Sequence, residues 1–140
     1  MRPTRLIRPL VLAAAGLLSL SAAAQSIPEL GTADHAFLRA FNQADRAALT
    51  AYAQQHFSAA ALASRDADTR ADDWLNAHQV LGDLQAVEVS GVSRITIVSA
   101  ASSRAPQDAD IVLLHDTEQP DRLSDLWIHP VLPELAAAQP

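Results

Sequence analysis

The hydrophobic pattern of this 140-residue chain changes its period at Gly82, and this change limits the possible folds more than any other feature. Before Gly82, apolar residues recur every three or four positions, as on one face of a helix. After Gly82 they recur at every second position, as in strands with one buried face. Helices followed by strands predict a two-layer α+β domain in which the helices bury their apolar faces on the sheet.

Three helices are predicted before the change of period. The first is expected to be capped by Thr32 or Asp34 and to end near Asn42. The second is predicted at 46–56 with Asp45 as its cap, and the third at 69–81 with Gly82 after its end.

One further helical turn is predicted at 58–63, between the second and third helices. Ser58 is expected to cap it, because a serine side chain can accept a hydrogen bond from an amide of the first turn.

About four strands are predicted after Gly82, at 84–90, 94–100, 110–117 and 123–129, and alternation places Val87 and Val89 on one face of the first. The connections between the strands are short and carry turn residues, which favours an antiparallel meander. A curved sheet of this kind over a pair of helices encloses a cone-shaped pocket. A small ligand would bind there.

The N-terminus is typical of a secretory signal peptide of the general export type. Arg2, Arg5 and Arg8 precede a short apolar run, and small residues end at a cleavage site after Ala24. The apolar run is shorter than the roughly 20 residues that a membrane-spanning helix needs. We therefore expect a periplasmic or secreted protein with a signal peptide at 1–24, a leader at 25–32, one domain at 33–130 and a flexible tail at 131–140.

Charge excludes two classes of partner. All ten basic residues are arginines, and removal of the signal peptide would leave seven of them against sixteen acids, a net charge of −9. Nucleic acids and anionic membranes both require a basic surface, so neither is an expected partner. The chain has no cysteine, so its core must be stable without disulfides.

The segment Phe37–Leu49 reads Phe-Leu-Arg-Ala-Phe-Asn-Gln-Ala-Asp-Arg-Ala-Ala-Leu, which is an aromatic-rich helix, Asn-x-x-Asp and a second helix. It resembles the nuclear transport factor 2-like superfamily, also called the cystatin-like cone, over about 33–130. His56-Phe57-Ser58, Leu81-Gly82 and Pro120-Asp121-Arg122-Leu123 also resemble the accessory domain ahead of some exported serine hydrolases and tail-specific peptidases.

Six residues on the predicted helices are expected to line the pocket. Two of them are histidines, which can act as bases because the unperturbed pKa of imidazole lies near neutrality. The alternative for each histidine is a partly buried helix residue that is hydrogen-bonded to backbone. The predicted pocket residues are Phe37, Phe41, Tyr52, His56, Trp74 and His78.

The last strand predicts a second surface. If Leu126 and Ile128 face the helices, then Asp125, Trp127 and His129 face away from them. An exposed Trp127 suggests a homodimer interface on the outer face of the sheet, where domains of the resembled fold commonly pair. An Asp–His pair beside an aromatic ring also resembles the proton-transferring pocket of polyketide-cyclase-like members, but the alternation of the strand argues against a pocket here.

Other chemistry has little support in the sequence. No histidine pair has metal-ligand spacing, and neither a Gly-x-Ser-x-Gly motif nor a phosphate-binding loop is present. His115 and Asp116 are neighbours in a predicted strand, so their side chains are expected to point to opposite faces. We therefore expect no metal and no cofactor.

Three functions remain open from the sequence. The first is an exported non-enzymatic domain that binds a small apolar ligand or an exported protein partner. The second is a cofactor-independent enzyme of the polyketide-cyclase or isomerase type, which requires two or more polar side chains, such as His56, His78 and Asp125, to converge inside the cone. The third is an accessory partner of an exported hydrolase.

Overall fold

The computed structural model describes residues 29–131, which form four helices and one four-stranded antiparallel sheet. The predicted α+β class is confirmed. The predicted signal peptide, the first part of the leader and the tail after Val131 lie outside the described residues. The elements in chain order are α1 (Thr32–Gln43), α2 (Arg46–His56), α3 (Ala59–Ser64), α4 (Ala67–Leu81), β1 (Leu84–Val92), β2 (Ile95–Ser102), β3 (Ala109–His115) and β4 (Leu123–Pro130).

Side-chain oxygens fix the starts of α2 and α3. Asp45 accepts a hydrogen bond from the Ala48 amide at 3.1 Å, and Ser58 accepts one from the Ala61 amide at 3.3 Å. The caps predicted at these two positions are therefore confirmed. The further turn is a short helix of its own, so the described residues form four helices and not three.

The cap of α1 and the start of α4 differ from the prediction. Gly31 is the N-cap of α1, and Asp34 instead accepts a hydrogen bond from the Gly31 amide at 3.0 Å. Helix α4 begins two residues earlier than expected because Asp66 caps it, accepting from the Thr69 amide at 2.7 Å. The polar segment before Thr69 breaks the hydrophobic pattern, but it supplies a cap and a first turn.

Gly82 joins the helical and the sheet parts of the domain. Its backbone has φ 70° and ψ −153°, a combination that only glycine adopts without strain. A β-carbon at this position would lie 2.4 Å from the hydroxyl oxygen of Ser103. The predicted helix end at Gly82 is confirmed, and the close approach of the loop after β2 is an additional reason for glycine.

The sheet is a meander in the order β1-β2-β3-β4, as predicted. Antiparallel pairing places one row of apolar residues across its inner face, namely Val89, Val98, Ile111 and Ile128.

Strand β1 contains an irregularity that the sequence did not predict. The register shifts between Ala86 and Glu88, and Val87, which lies between them, is 58% exposed. Val87 therefore does not share a buried face with Val89, and that prediction was wrong. An extra residue in one strand of a pair turns its side chain out of the alternation.

The helices pack on the inner face of the sheet and form one hydrophobic core with it. The largest fully buried side chains come from both layers. They are Phe37, Phe41, Phe57, Leu49, Ile111, Leu113, Leu123 and Val98.

The side chain of Asn42 ties the end of α1 to the start of β1. Its amide nitrogen donates to the Leu84 carbonyl oxygen at 2.9 Å, and the Leu84 amide donates to its Oδ1 at 2.8 Å. Since both backbone groups of Leu84 are bonded to this side chain, the amide of Asn42 takes the place of a neighbouring strand at that residue.

None of the helices within residues 29–131 combines the length and the hydropathy that crossing a bilayer would require.

Candidate functional site

Three of the predicted pocket residues lie in the core of the domain. Phe37, Phe41 and Trp74 are at most 4% exposed. The Phe37 ring centroid lies 5.7 Å from that of Phe41 and 5.2 Å from that of Trp74. At these distances the rings are in direct contact, so they fill the space between helices and sheet in which the sequence predicted a ligand.

Tyr52 is buried beside these rings. Its hydroxyl donates a hydrogen bond to the Ala33 carbonyl oxygen at 3.0 Å. Burial raises the pKa of the Tyr52 phenol far above its usual value, and the negative charge of Asp34 raises it further. The phenol is therefore neutral at every physiological pH and acts as a hydrogen-bond donor within the fold.

The two predicted histidines lie in different surroundings. His56 stacks on the Tyr52 ring, with 4.5 Å between the centroids. Partial burial lowers the pKa of His56, and the positive charge of Arg122 lowers it further. His78 instead lies against the Phe41 ring, with its Nε2 3.0 Å from the Oδ1 of Asp83.

Asp125 pairs with a buried arginine and not with either histidine. Its carboxylate accepts a hydrogen bond at 3.0 Å from the guanidinium of Arg70, whose side chain is only 4% exposed. The same guanidinium donates to the carbonyl oxygens of Arg65 at 3.0 Å and Ala61 at 3.2 Å, and it lies 4.4 Å from the Phe57 ring centroid. Each of its three nitrogens therefore donates a hydrogen bond inside the fold.

Sequence reasoning missed Arg70, although a signal was present. Arg70 stands four residues before Trp74, on the apolar stripe that continues through His78 and Leu81. A charged residue on the buried face of a helix implies a buried partner. That partner is Asp125, so the prediction that Asp125 faces away from the helices was wrong.

The structure does not gather the groups that an enzyme of the predicted type requires. His56 contacts Tyr52, His78 contacts Asp83, and Asp125 contacts Arg70. Within residues 29–131, no three acidic or histidine side chains are placed to hold a metal ion.

The outer face of the sheet carries apolar side chains that are partly or largely exposed. Val92 is 77% exposed and Ile95 is 40% exposed. Antiparallel pairing places the next row across the same face, namely Ser90, Ile97, Val112 and Trp127.

Two of the three predicted interface residues lie together on this face. Trp127 and His129 have ring centroids 6.2 Å apart. Asp125 is not part of this pair, because its carboxylate accepts a hydrogen bond from Arg70 of α4.

A second surface feature is a depression of about 270 Å³ between α1 and α2. Two of the predicted pocket residues, Tyr52 and His56, contribute to it. Its other lining residues are Ala36, Arg39, Ala40, Gln43, Ala48, Ala51 and Gln55.

Comparison of the chain with known protein families, with curated proteins and with solved structures finds no match.

Proposed function

We propose that this chain is an exported, non-enzymatic interaction domain of the nuclear transport factor 2-like type, and that it works as a homodimer formed through the outer face of the sheet. The observation that carries the proposal is the row of apolar side chains ending at Trp127, which no helix of the described residues covers. Ile97, Val112 and Trp127 are each partly exposed, and a contiguous apolar patch in contact with water marks an interaction site.

The size of the face is compatible with a dimer. Four strands about 4.8 Å apart, each about 24 Å long, make a face of roughly 450 Å² per copy. Two such faces approach the roughly 1,000 Å² that a specific interface needs in total. An interface near this lower limit implies a dimer whose population depends on concentration.

The chemistry of the face also suits an interface. The apolar rows are followed by a row of polar residues, Glu88, Ser99, Asp110 and His129. Ser99 donates a hydrogen bond to the Asp110 carboxylate at 2.7 Å, so this row is already ordered in one copy. An apolar centre with a polar rim is the usual composition of protein interfaces.

A protein partner is favoured over a small apolar ligand inside the cone. The aromatic side chains of Phe37, Phe41 and Trp74 contact one another and leave that space filled. A ligand there would have to displace well-packed rings, and each large apolar side chain contributes about 1.5–3 kcal/mol by its burial.

The test is the molar mass in solution by light scattering after size-exclusion chromatography, over a range of concentrations. We expect the mature chain to run as a dimer at high concentration and the variant Trp127→Glu to run as a monomer. Val80→Glu is the matched control, because Val80 is an apolar residue with 67% exposure on α4 and not on the sheet. A monomer at every concentration, or the same loss of mass in both variants, would refute the proposal.

A further inference from the structure

The depression between α1 and α2 combines apolar walls with polar and cationic side chains. Four alanines contribute apolar walls, and longer polar side chains stand beside them. Among residues 29–131, none of those that line it carries a carboxylate, although acidic residues outnumber arginines in the chain. The alanines are Ala36, Ala40, Ala48 and Ala51.

Arg39 is the cation of the depression, and within residues 29–131 its guanidinium has no partner. The structure gives every other arginine in that range a carboxylate or a backbone carbonyl oxygen to which it donates. Arg39 makes no such contact with a described residue, and it is exposed. A guanidinium in this state has all five of its N–H groups available to an anion.

A second positive charge lies close to the other wall. Arg122 donates to the carbonyl oxygen of Gln55, a lining residue, and its charge acts on the ring of His56. On α2, the ring of Tyr52 stacks on His56. Arg122 acts on the same ring from the residue before β4, and Arg39 lines the depression from α1. Arg39 therefore supplies the positive charge that lines the depression, and Arg122 adds a second positive charge next to two of the lining residues, Gln55 and His56.

We propose that this depression binds a small amphipathic carboxylate, with its apolar body against the alanines and its carboxylate on Arg39. A volume of about 270 Å³ suits a molecule of a few carbon atoms. The alanine walls favour an organic acid over an inorganic anion, since an inorganic anion would gain nothing from apolar contact. The site lies on the helices, so it does not depend on the proposed dimer.

The probe is hexanoate, added to the mature chain while backbone amide chemical shifts are followed. We expect saturable shifts confined to α1 and α2. Hexanol has the same apolar body without the charge, and acetate has the charge with almost no body, so each should bind at least several-fold more weakly. Arg39→Gln should weaken hexanoate binding about tenfold, the effect of losing one charge-assisted contact.

Two further variants distinguish specific binding in the depression from non-specific binding elsewhere. Arg94→Gln removes an exposed arginine of the β1–β2 turn and should leave hexanoate binding unchanged. Ala51→Leu fills the depression at an exposed helical position, so the fold should persist while binding is lost. The carboxylate should also raise the pKa of His56 in the complex, because a nearby negative charge favours imidazolium.

The proposal fails if hexanoate causes no saturable shifts at millimolar concentration, or if hexanol binds as well as hexanoate. It also fails if Arg39→Gln and Arg94→Gln weaken binding equally. A monomeric protein that still binds hexanoate would refute the proposed dimer and leave this site intact.

Discussion

Arg70 shows how one side chain can join three elements of the fold. It extends from α4, and its guanidinium reaches Asp125 of β4 and the carbonyl oxygens of Ala61 in α3 and Arg65 at its C-cap. A buried charge is tolerated only when its hydrogen bonds are satisfied, and here these partners lie within the protein. The pair with Asp125 is asymmetric, because the side chain of Arg70 is 4% exposed and that of Asp125 is 46% exposed.

This asymmetry predicts unequal effects for the two partners. Arg70→Ala should lower the free energy of unfolding by about 3 kcal/mol, because two carbonyl oxygens and a carboxylate each lose the hydrogen bond that the guanidinium donates. Asp125→Asn should cost about 1 kcal/mol or less, because water reaches the carboxylate and screens the pair. Urea unfolding of both variants measures the two values. Equal losses would contradict a role for Arg70 beyond its ion pair.

Tyr52 predicts how the stability of the protein depends on alkaline pH. The raised pKa of the folded phenol exceeds the value of about 10 in the unfolded chain. The stability that the protonated Tyr52 phenol contributes is therefore complete below pH ~10. Above that pH only the unfolded state releases the proton, so the free energy of unfolding falls by about 1.4 kcal/mol per pH unit. The chain has one tyrosine and neither lysine nor cysteine, so few other groups titrate in this range.

The matched variant is Tyr52→Phe. It should cost about 1 kcal/mol at neutral pH through the lost hydrogen bond to Ala33, and it should remove the alkaline decline. Urea unfolding at several alkaline pH values, with phenolate absorbance as a second signal, tests both effects. Parallel declines in the two proteins would show that Tyr52 is not the responsible group.

At the scale of elements, the sequence pattern predicts most of what the structure contains. The strand bounds agree within two residues because alternation with one buried face is a strong signal, and helix α2 starts and ends as predicted. The bulge at Val87 could not be predicted, since one extra residue in a strand leaves no mark in a short alternating pattern. The early start of α4 was missed because the polar segment before Thr69 supplies the N-cap, Asp66, and the first turn of the helix.

The junction between α4 and β1 gives a prediction at this scale. Gly82→Ala should lower the free energy of unfolding by about 2–4 kcal/mol, because it combines a strained backbone with a clash. The clash is with the Ser103 hydroxyl, which also accepts a hydrogen bond from the Asp83 amide at 2.8 Å.

Gly91→Ala is the control for this substitution. A β-carbon at Gly91 would lie 3.5 Å from its nearest neighbour, an ordinary contact. Its effect should stay within about 0.5 kcal/mol, as for most surface substitutions. Thermal or urea unfolding gives both numbers, and a small effect at Gly82 would mean that the turn can rearrange.

At the scale of the whole molecule, the sequence predicts layers better than it predicts sites. Periodicity shows that Phe37, Phe41 and Trp74 face the sheet, but it does not show whether the facing surfaces enclose a space or fill it. That outcome depends on the distance between layers and on ring orientations, which are properties of the assembled core. The cone-type family assignment and the dimer through Trp127 stay predictions.

The contact between Asn42 and Leu84 has a consequence for the association of separate chains. The edge strands of a sheet have unpaired backbone groups, with which a strand of another chain can pair. Here the first residue of β1 already has both of its backbone groups bonded, and the bulge at Val87 interrupts the strand soon afterwards. Cross-β growth along β1 would have to begin beyond that bulge, so one amide side chain helps to protect this edge of the sheet from strand-to-strand association.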